Sequence, residues 1–228
     1  AVASVTPLDI DADVVASWLD RPLDLVEEHL RAAVAAGVLE VIDRRLCFRH
    51  ALLARAAQAD LLPGDLSRYH GLIADSLLGS ASADLGQLAH HLEEAGRFEE
   101  AFEISVRAAS DAAGPFGSIE AVAHYERAVR LAERADFVPP ANVGSLDLAI
   151  RALECAFYVG DTVAAERFVG TALSQCDPSR DLDRWAVLTC RASELAWQNG
   201  STERSTQLLA AAADALLNAG DDKSRAHV

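Results

Sequence analysis

Across residues 85–131, apolar side chains recur with the 3.6-residue period of amphipathic helices. The period predicts three consecutive helices, within residues 85–96, 98–114 and 119–131. A glycine closes each of the first two helices, as expected where a chain must reverse direction. Alanines on the apolar faces allow neighbouring helices to approach closely. We therefore predict that these helices pack on one another in sequence order.

The same pattern continues toward the C-terminus. Residues 146–175 and 182–217 each predict a helical hairpin, with turns at Gly160 and Gly200. The two turn glycines lie 40 residues apart, whereas a tetratricopeptide repeat is about 34 residues long. The spacing favours a degenerate tetratricopeptide-like α-helical solenoid. An ordinary helical bundle is the alternative, because it would show the same alternation of large and small apolar residues.

The N-terminal part of the chain follows a different pattern. Two short helices, the second ending at Gly37, precede a change to a period of two, with Val41 on one arm and Phe48 on the other. Helix, helix, hairpin is the order of a winged helix-turn-helix, and a generic small α+β unit is the alternative. Two further helices trail the hairpin. We predict a winged-helix domain with trailing helices over residues 1–79, and a tetratricopeptide-like helical repeat domain over residues 80–228.

Composition supports a mainly α fold and limits the partners. The chain is 51% hydrophobic but only 6% aromatic, and its net charge is −15. The helix that would enter a DNA groove carries Asp24, Glu27 and Glu28 against Arg31, although base readout needs cationic or amide side chains. We therefore expect no direct nucleic-acid binding and no membrane binding. Without an apolar run near 18 residues or a signal peptide, the expected location is cytoplasmic.

No sequence motif predicts catalysis. A phosphate-binding P-loop is absent, the single lysine is Lys223, and neither a zinc-protease nor a serine-hydrolase motif occurs. His90 and His91, with Glu94 nearby, come closest to a metal cluster, but they are interpreted as surface histidines. We expect no enzyme activity, no metal and no cofactor in this chain. The absence of methionine predicts a fragment of a longer protein, and the cysteines are interpreted as buried free thiols: Cys47, Cys155, Cys176 and Cys190.

Three segments together resemble one protein family. They are LCFRHALLARAAQADLLPGDLSRYHGLIADSL (residues 46–77), LAHHLEEAGRFEEAFEISVRAA (88–109) and AVAHYERAVRLAE (121–133). They are similar to the middle of large ATP-binding LuxR-type transcriptional regulators, which belong to the STAND NTPases. In that family, an NTPase domain precedes a winged helix and a tetratricopeptide-like sensor region, and a helix-turn-helix usually follows.

The resemblance implies a non-catalytic regulatory segment. Effector or partner binding on the repeats would be relayed to an NTPase domain of the same parent chain, where ATP or ADP is expected. Arg49 and His50 would contact the bound nucleotide in the intact parent. The alternative for these two residues is local, with Arg49 pairing with a carboxylate and His50 capping a helix. The alternative for the whole chain is a stand-alone protein-interaction scaffold.

Overall fold

A computed structural model describes residues 2–5, 10–43, 45–80, 83–114, 118–134, 136–140 and 143–225. These residues form a mainly helical structure with one two-stranded antiparallel hairpin, as the sequence predicts at this level. The elements are a 3-10 turn at Val2–Val5, α1 Ala12–Leu19, α2 Leu23–Ala35, β1 Leu39–Ile42, β2 Arg45–Phe48, α3 Ala51–Ala59, α4 Pro63–Leu78, α5 Leu85–Glu94, α6 Phe98–Ala113, α7 Ile119–Ala132, α8 Ser145–Val159, α9 Thr162–Gln175, α10 Leu182–Gln198 and α11 Thr202–Arg225.

The chain divides into two compact units, residues 1–101 (the N-terminal unit) and 102–228 (the C-terminal unit). The predicted domain boundary between residues 79 and 80 stays a prediction.

Among the described helices, none combines the length and the apolar character that a bilayer-spanning segment needs.

In the N-terminal unit, α1 and α2 precede the predicted hairpin. The hairpin pairs Leu39 with Phe48 and Ile42 with Arg45. An isolated antiparallel bridge adds Ile10 beside Leu46, with a backbone N–O distance of 2.9 Å. The core combines apolar side chains of the 3-10 turn, the bridge residue Ile10, α1, α2, the hairpin and α4: Val5, Ile10, Val15, Ala16, Val26, Leu39, Tyr69 and Ile73.

Helices α4 and α5 are tied together by polar contacts as well as by packing. The hydroxyl of Ser67 donates to the carbonyl oxygen of Glu94 at 3.0 Å. Just beyond α5, the guanidinium of Arg97 bonds to Asp75 at 2.5 Å and to Glu100 at 2.5 Å. Because Arg97 joins two carboxylates from separate helices, it links α4 to the start of α6.

In the C-terminal unit, from α7 to α11, each helix packs on the next in sequence. Gly160, with φ of +76°, closes α8, and the side chain of Asp161 caps α9 by accepting from the Ala164 amide at 3.0 Å. Gly200, with φ of +79°, lies in the turn between α10 and α11. Only glycine adopts this backbone conformation without steric cost, so the turns predicted at Gly160 and Gly200 are confirmed.

Alternate helices of this unit also lie side by side. Arg184 of α10 bonds to Asp147 of α8 at 3.2 Å, near the start of both helices. Further along, the guanidinium of Arg191 lies 4.9 Å from the ring centre of Phe157. Sequence positions rise together in these two contacts, so α8 and α10 are parallel neighbours. α7 and α9 are joined in the same way, by Arg167 with Glu126 and, further along, by Thr171 with Glu133 at 3.1 Å.

Candidate ligand-binding groove

Two cavities open on the surface formed by α8 and α10. The larger, about 470 Å³, also reaches the end of α6 and Tyr125 of α7, and the smaller, about 430 Å³, extends to Leu216 of α11. Val187 and Arg191 of α10 line both cavities. We call the two together the groove. Each volume lies in the range typical of small-ligand sites.

Helical periodicity explains which side chains reach the groove. On α8, Arg151, Glu154 and Tyr158 recur at intervals of three and four residues, and all three line the larger cavity. On α10, Asp183 and Glu194 flank Val187 on one face and line the smaller cavity. The groove therefore combines exposed charged groups with apolar surface, including Val187, which is 61% exposed.

Arg191, in the middle of the groove, is held in place on two sides. Its guanidinium donates to the carboxylate of Glu194 at 2.8 Å and lies over the ring of Phe157. An arginine that both pairs with a carboxylate and stacks on an aromatic face loses little further freedom when it contacts a ligand. Arg191 is thus a preorganised donor where the two cavities meet.

Tyr125 lines the larger cavity with a buried side chain, only 4% exposed. Burial raises the pKa of its phenol, and a hydrogen bond with Ser110 partly offsets that effect. At neutral pH the phenol is therefore protonated and available as a hydrogen-bond donor or acceptor. The side chain gives the cavity a polar contact in a largely apolar wall.

Three charged residues of the groove have no ion-pair partner among the described residues. Arg151 and Glu154 in the larger cavity make no salt bridge or side-chain hydrogen bond within the described ranges, and the same holds for Asp183 in the smaller cavity. All three side chains are exposed. These are the groups with the most capacity to pair with a charged ligand. Sequence reasoning did not single out any of them.

The two residues that the family resemblance nominated lie elsewhere, in the N-terminal unit. Arg49 and His50 follow β2 directly and are both exposed. The Arg49 guanidinium lies 3.7 Å from the carboxylate of Glu40, which matches the local alternative. His50 occupies the N-cap position of α3, but its side chain makes no capping hydrogen bond. A nucleotide contact in the parent stays a prediction.

The interpretation of both members of the His90–His91 pair as surface residues is wrong for His91. His90 is exposed, but His91 is only 2% exposed and its Nδ1 lies 2.9 Å from the Nδ1 of the buried His70 on α4. Burial lowers the pKa of His70 and of His91 to about 4, and repulsion from His90 adds to both shifts. Among the described residues, no group of three potential ligands is arranged to hold a metal ion.

The cysteine interpretation needs a similar correction. All four cysteines are free, and Cys155 and Cys176 are buried as expected. Cys47 is only half-buried, and Cys190 is exposed where it lines the smaller cavity. Cys190 lies on an exposed face of α10, which its position in the apolar period did not reveal.

No protein-family model matches the chain, and no curated protein shows a significant match to it. The assignment of a function therefore depends on the residues and the geometry.

Proposed function

We propose that this chain is a non-catalytic regulatory and sensor segment of a STAND-type, LuxR-family transcriptional regulator. In this proposal the N-terminal unit contains a winged helix, and the C-terminal unit is a tetratricopeptide-like solenoid. Binding of an effector or partner on the solenoid is relayed through the winged helix to an NTPase domain of the parent chain, where ATP or ADP binds.

The element order of the N-terminal unit supports a winged helix. α1 and α2 are followed by the hairpin, and the bridge from Ile10 to Leu46 adds a short third strand position before α1. This unit also exposes large apolar side chains that its own core does not use. Val41 and Ile42 of the hairpin are 61% and 52% exposed, and Leu52 of α3 and Leu62 before α4 are 74% and 70% exposed. Apolar exposure of this kind favours contact with another domain.

The helix order of the C-terminal unit supports a tetratricopeptide-like solenoid. Two hairpins, α8 with α9 and α10 with α11, turn at positive-φ glycines. The side-by-side pairs α8–α10 and α7–α9 give two sets of parallel helices, the pattern that stacked helical hairpins produce. A generic helical bundle would not require alternate helices to lie side by side and parallel.

The groove is the observation that carries the functional proposal. It combines charged side chains that have no ion-pair partner among the described residues, a preorganised Arg191 and exposed apolar surface in one place. Sites that combine charged groups with apolar surface are typical of ligand binding. A sensor role accounts for such a surface.

A stand-alone interaction scaffold is the second candidate. It is favoured by apolar side chains outside the groove, since Val163 of α9 is 78% exposed and Trp197 at the end of α10 is 67% exposed. Scaffolds present residues of this kind to partner proteins. In this case no nucleotide switch is involved.

The experiment that separates the two candidates is to sequence the gene on both sides of the region that encodes residues 1–228. The regulator proposal expects a Walker-type loop upstream and a basic helix-turn-helix downstream. A reading frame that starts close to Ala1 and stops close to Val228 would remove the NTPase and leave the scaffold. Small-angle scattering adds a second criterion, because a relay requires that ligand binding change the arrangement of the two units.

The nucleotide contact has its own test in the intact parent. We expect His50→Ala to weaken ADP binding or to raise basal activity, because the exposed His50 and Arg49 would face the nucleotide domain. His29→Ala, which removes another exposed histidine of the N-terminal unit, is the matched control. Unchanged ADP affinity and basal activity in the His50 variant would show that the local alternative is right.

A further inference from the structure

A cavity separate from the groove lies inside the N-terminal unit. It measures about 330 Å³ and is lined by side chains from α1, α2, both strands of the hairpin, α3 and α4. Its floor belongs to the core of this unit, since Val15, Val26 and Leu39 line it and are buried. Other lining residues, such as Leu30 and Phe48, are only half-buried. The cavity is therefore a hollow that extends from the surface into the core.

Small side chains leave this space open. Ala33 of α2 and Ala57 of α3 both line the cavity, and both are half-buried. A methyl group at each position fills little of the space between the two helices and the hairpin. Voids larger than a water molecule are few in a folded domain, because side chains normally interdigitate. A hollow whose volume lies in the range of small-ligand sites is therefore a candidate binding site.

The lining of the cavity is almost entirely apolar. Within the described ranges, no aspartate, glutamate, lysine or arginine lines it, and nine of its eleven lining residues have hydrocarbon side chains. The exceptions are Tyr69, whose phenol oxygen already accepts a hydrogen bond from Arg68 at 3.4 Å, and the exposed His29. A charged ligand, or one with many hydroxyl groups, would lose its hydration here without gaining partners. The lining therefore selects a neutral, apolar ligand.

Volume and aromatic content define the ligand further. An apolar cavity of about 150 Å³ holds one benzene molecule, and this cavity is larger by a factor of roughly two. Two fused rings therefore match the space. Phe48 of β2 and Tyr69 of α4 contribute aromatic rings to the lining, and aromatic rings pack favourably on one another in offset or edge-to-face arrangements.

We propose that this cavity binds a neutral, planar aromatic compound of two fused rings. The inference goes beyond the proposed function, which assigns the effector to the C-terminal unit, because it gives the N-terminal unit a ligand site of its own. A ligand in the cavity contacts α1, α2, the hairpin, α3 and α4 together, so it stabilises the folded arrangement of these elements. In the proposed regulator, such a ligand is a second input that acts on the winged helix directly.

The test is calorimetric titration of the full chain at pH 7.5 with three probes. Indole has two fused rings, pyrrole has one ring, and indole-5-carboxylate has two rings and a charge. We expect indole to bind at one site per chain with a Kd of about 1 mM or below. Pyrrole should bind about 10-fold more weakly or worse, because it buries roughly half the apolar area. Indole-5-carboxylate should also lose about 10-fold or more, because the lining offers its carboxylate no lysine or arginine.

Substitutions that fill the cavity assign the site. Ala57→Phe places a ring in the space, so indole should bind about 10-fold more weakly or worse. Ala56→Phe is the matched control, since it adds the same ring at an adjacent, exposed position that does not line the cavity, and it should bind indole as the wild type does. Ala33→Leu fills the cavity from α2 and should weaken indole binding by about 5-fold, so the test does not depend on one variant. Indole should raise the melting temperature of the wild type and of the control, but not of Ala57→Phe.

The absence of saturable indole binding would overturn the proposal, and so would equal affinity for indole in the wild type and both filled variants. Binding of pyrrole or of indole-5-carboxylate as tightly as indole would overturn the assignment of a neutral two-ring ligand. None of these results depends on the groove or on the gene sequence, so a failure of the regulator proposal is visible separately.

Discussion

His70 and His91 make the packing of α4 on α5 sensitive to pH. The two side chains are 6% and 2% exposed, and their Nδ1 atoms lie 2.9 Å apart. One Nδ1 must donate and the other must accept, so the contact requires that at least one ring be neutral. Burial lowers both pKa values from 6.5 to about 4, and repulsion from His90 contributes.

The direction of the effect on stability follows from proton binding. Between pH 6.5 and pH 4 the unfolded chain binds protons at these histidines and the folded chain does not. Stability should therefore be complete above pH 6.5 and fall as the pH is lowered toward 4. One pH unit below the unfolded pKa, each histidine lowers the free energy of unfolding by about 1.4 kcal/mol. Because the two shifts share mutual repulsion, we expect about 2 kcal/mol for the pair.

The assay is urea unfolding at pH 7.5 and pH 5.5, followed by tryptophan fluorescence. Trp18, which packs against the N-terminal core, reports on this unit alone once Trp185 and Trp197 of the C-terminal unit are replaced by phenylalanine. In that background the parent chain should lose about 2 kcal/mol between the two pH values. The double variant His70→Asn with His91→Gln, which cannot titrate, should lose much less.

A third chain, His50→Gln, serves as the control because it removes an exposed histidine of the same unit. It should show the same pH dependence as the parent. If the double variant loses as much stability as the parent between pH 7.5 and pH 5.5, the buried pair does not control acid stability, and the reasoning is refuted.

Two further substitutions test the packing. Phe168→Ala, at a fully buried position of α9, should lower the free energy of unfolding of the C-terminal unit by about 3–5 kcal/mol. Val163→Ala, at a 78% exposed position of the same helix, should change it by less than about 0.5 kcal/mol. Urea unfolding measures both, and similar losses in the two variants would contradict the burial pattern. Gly37→Ala should cost about 1 kcal/mol, because φ is +72° and the new Cβ would lie 3.1 Å from a guanidinium nitrogen of Arg49. Gly64→Ala in α4, where no atom lies within 4 Å of the new Cβ, should be neutral or stabilising by up to about 1 kcal/mol in thermal melts. If the Gly64 variant lost as much stability as the Gly37 variant, the positive φ of Gly37 would not be the cause of the loss.

The sequence was sufficient for most helix boundaries in the C-terminal unit. The predicted hairpin over residues 146–175 is α8 and α9, at Ser145–Val159 and Thr162–Gln175. This accuracy has a local cause, since the turn glycine and the capping Asp161 act within a few residues of the helix ends. The last helix extends beyond its predicted end at residue 217 to Arg225, because its polar C-terminal residues lack the apolar period used to define a helix.

What the sequence could not reveal depends on contacts between distant residues. Periodicity places His90 and His91 about 100° apart on α5, but only the position of α4 decides that His91 is the buried one. The Ile10–Leu46 bridge involves a single residue, Ile10, outside the two strands. A one-residue segment is too short for a period of two to appear in the sequence. The charged residues of the groove could not be predicted either, because Arg151 and Asp183 belong to one site only when α8 and α10 are neighbours.

The order in which the helices of the C-terminal unit pack also has a consequence for folding kinetics. From α7 to α11, each helix packs on the next one along the chain, so most native contacts there close short loops and this part of the chain should fold quickly for its size. In the proposed solenoid, stability is a sum of local terms, and the last hairpin can open without the rest. A ligand held between α8 and α10 adds a contact that skips one helix. Its binding would therefore slow the opening of α10 and α11, and hydrogen exchange would detect that change as protection of these two helices.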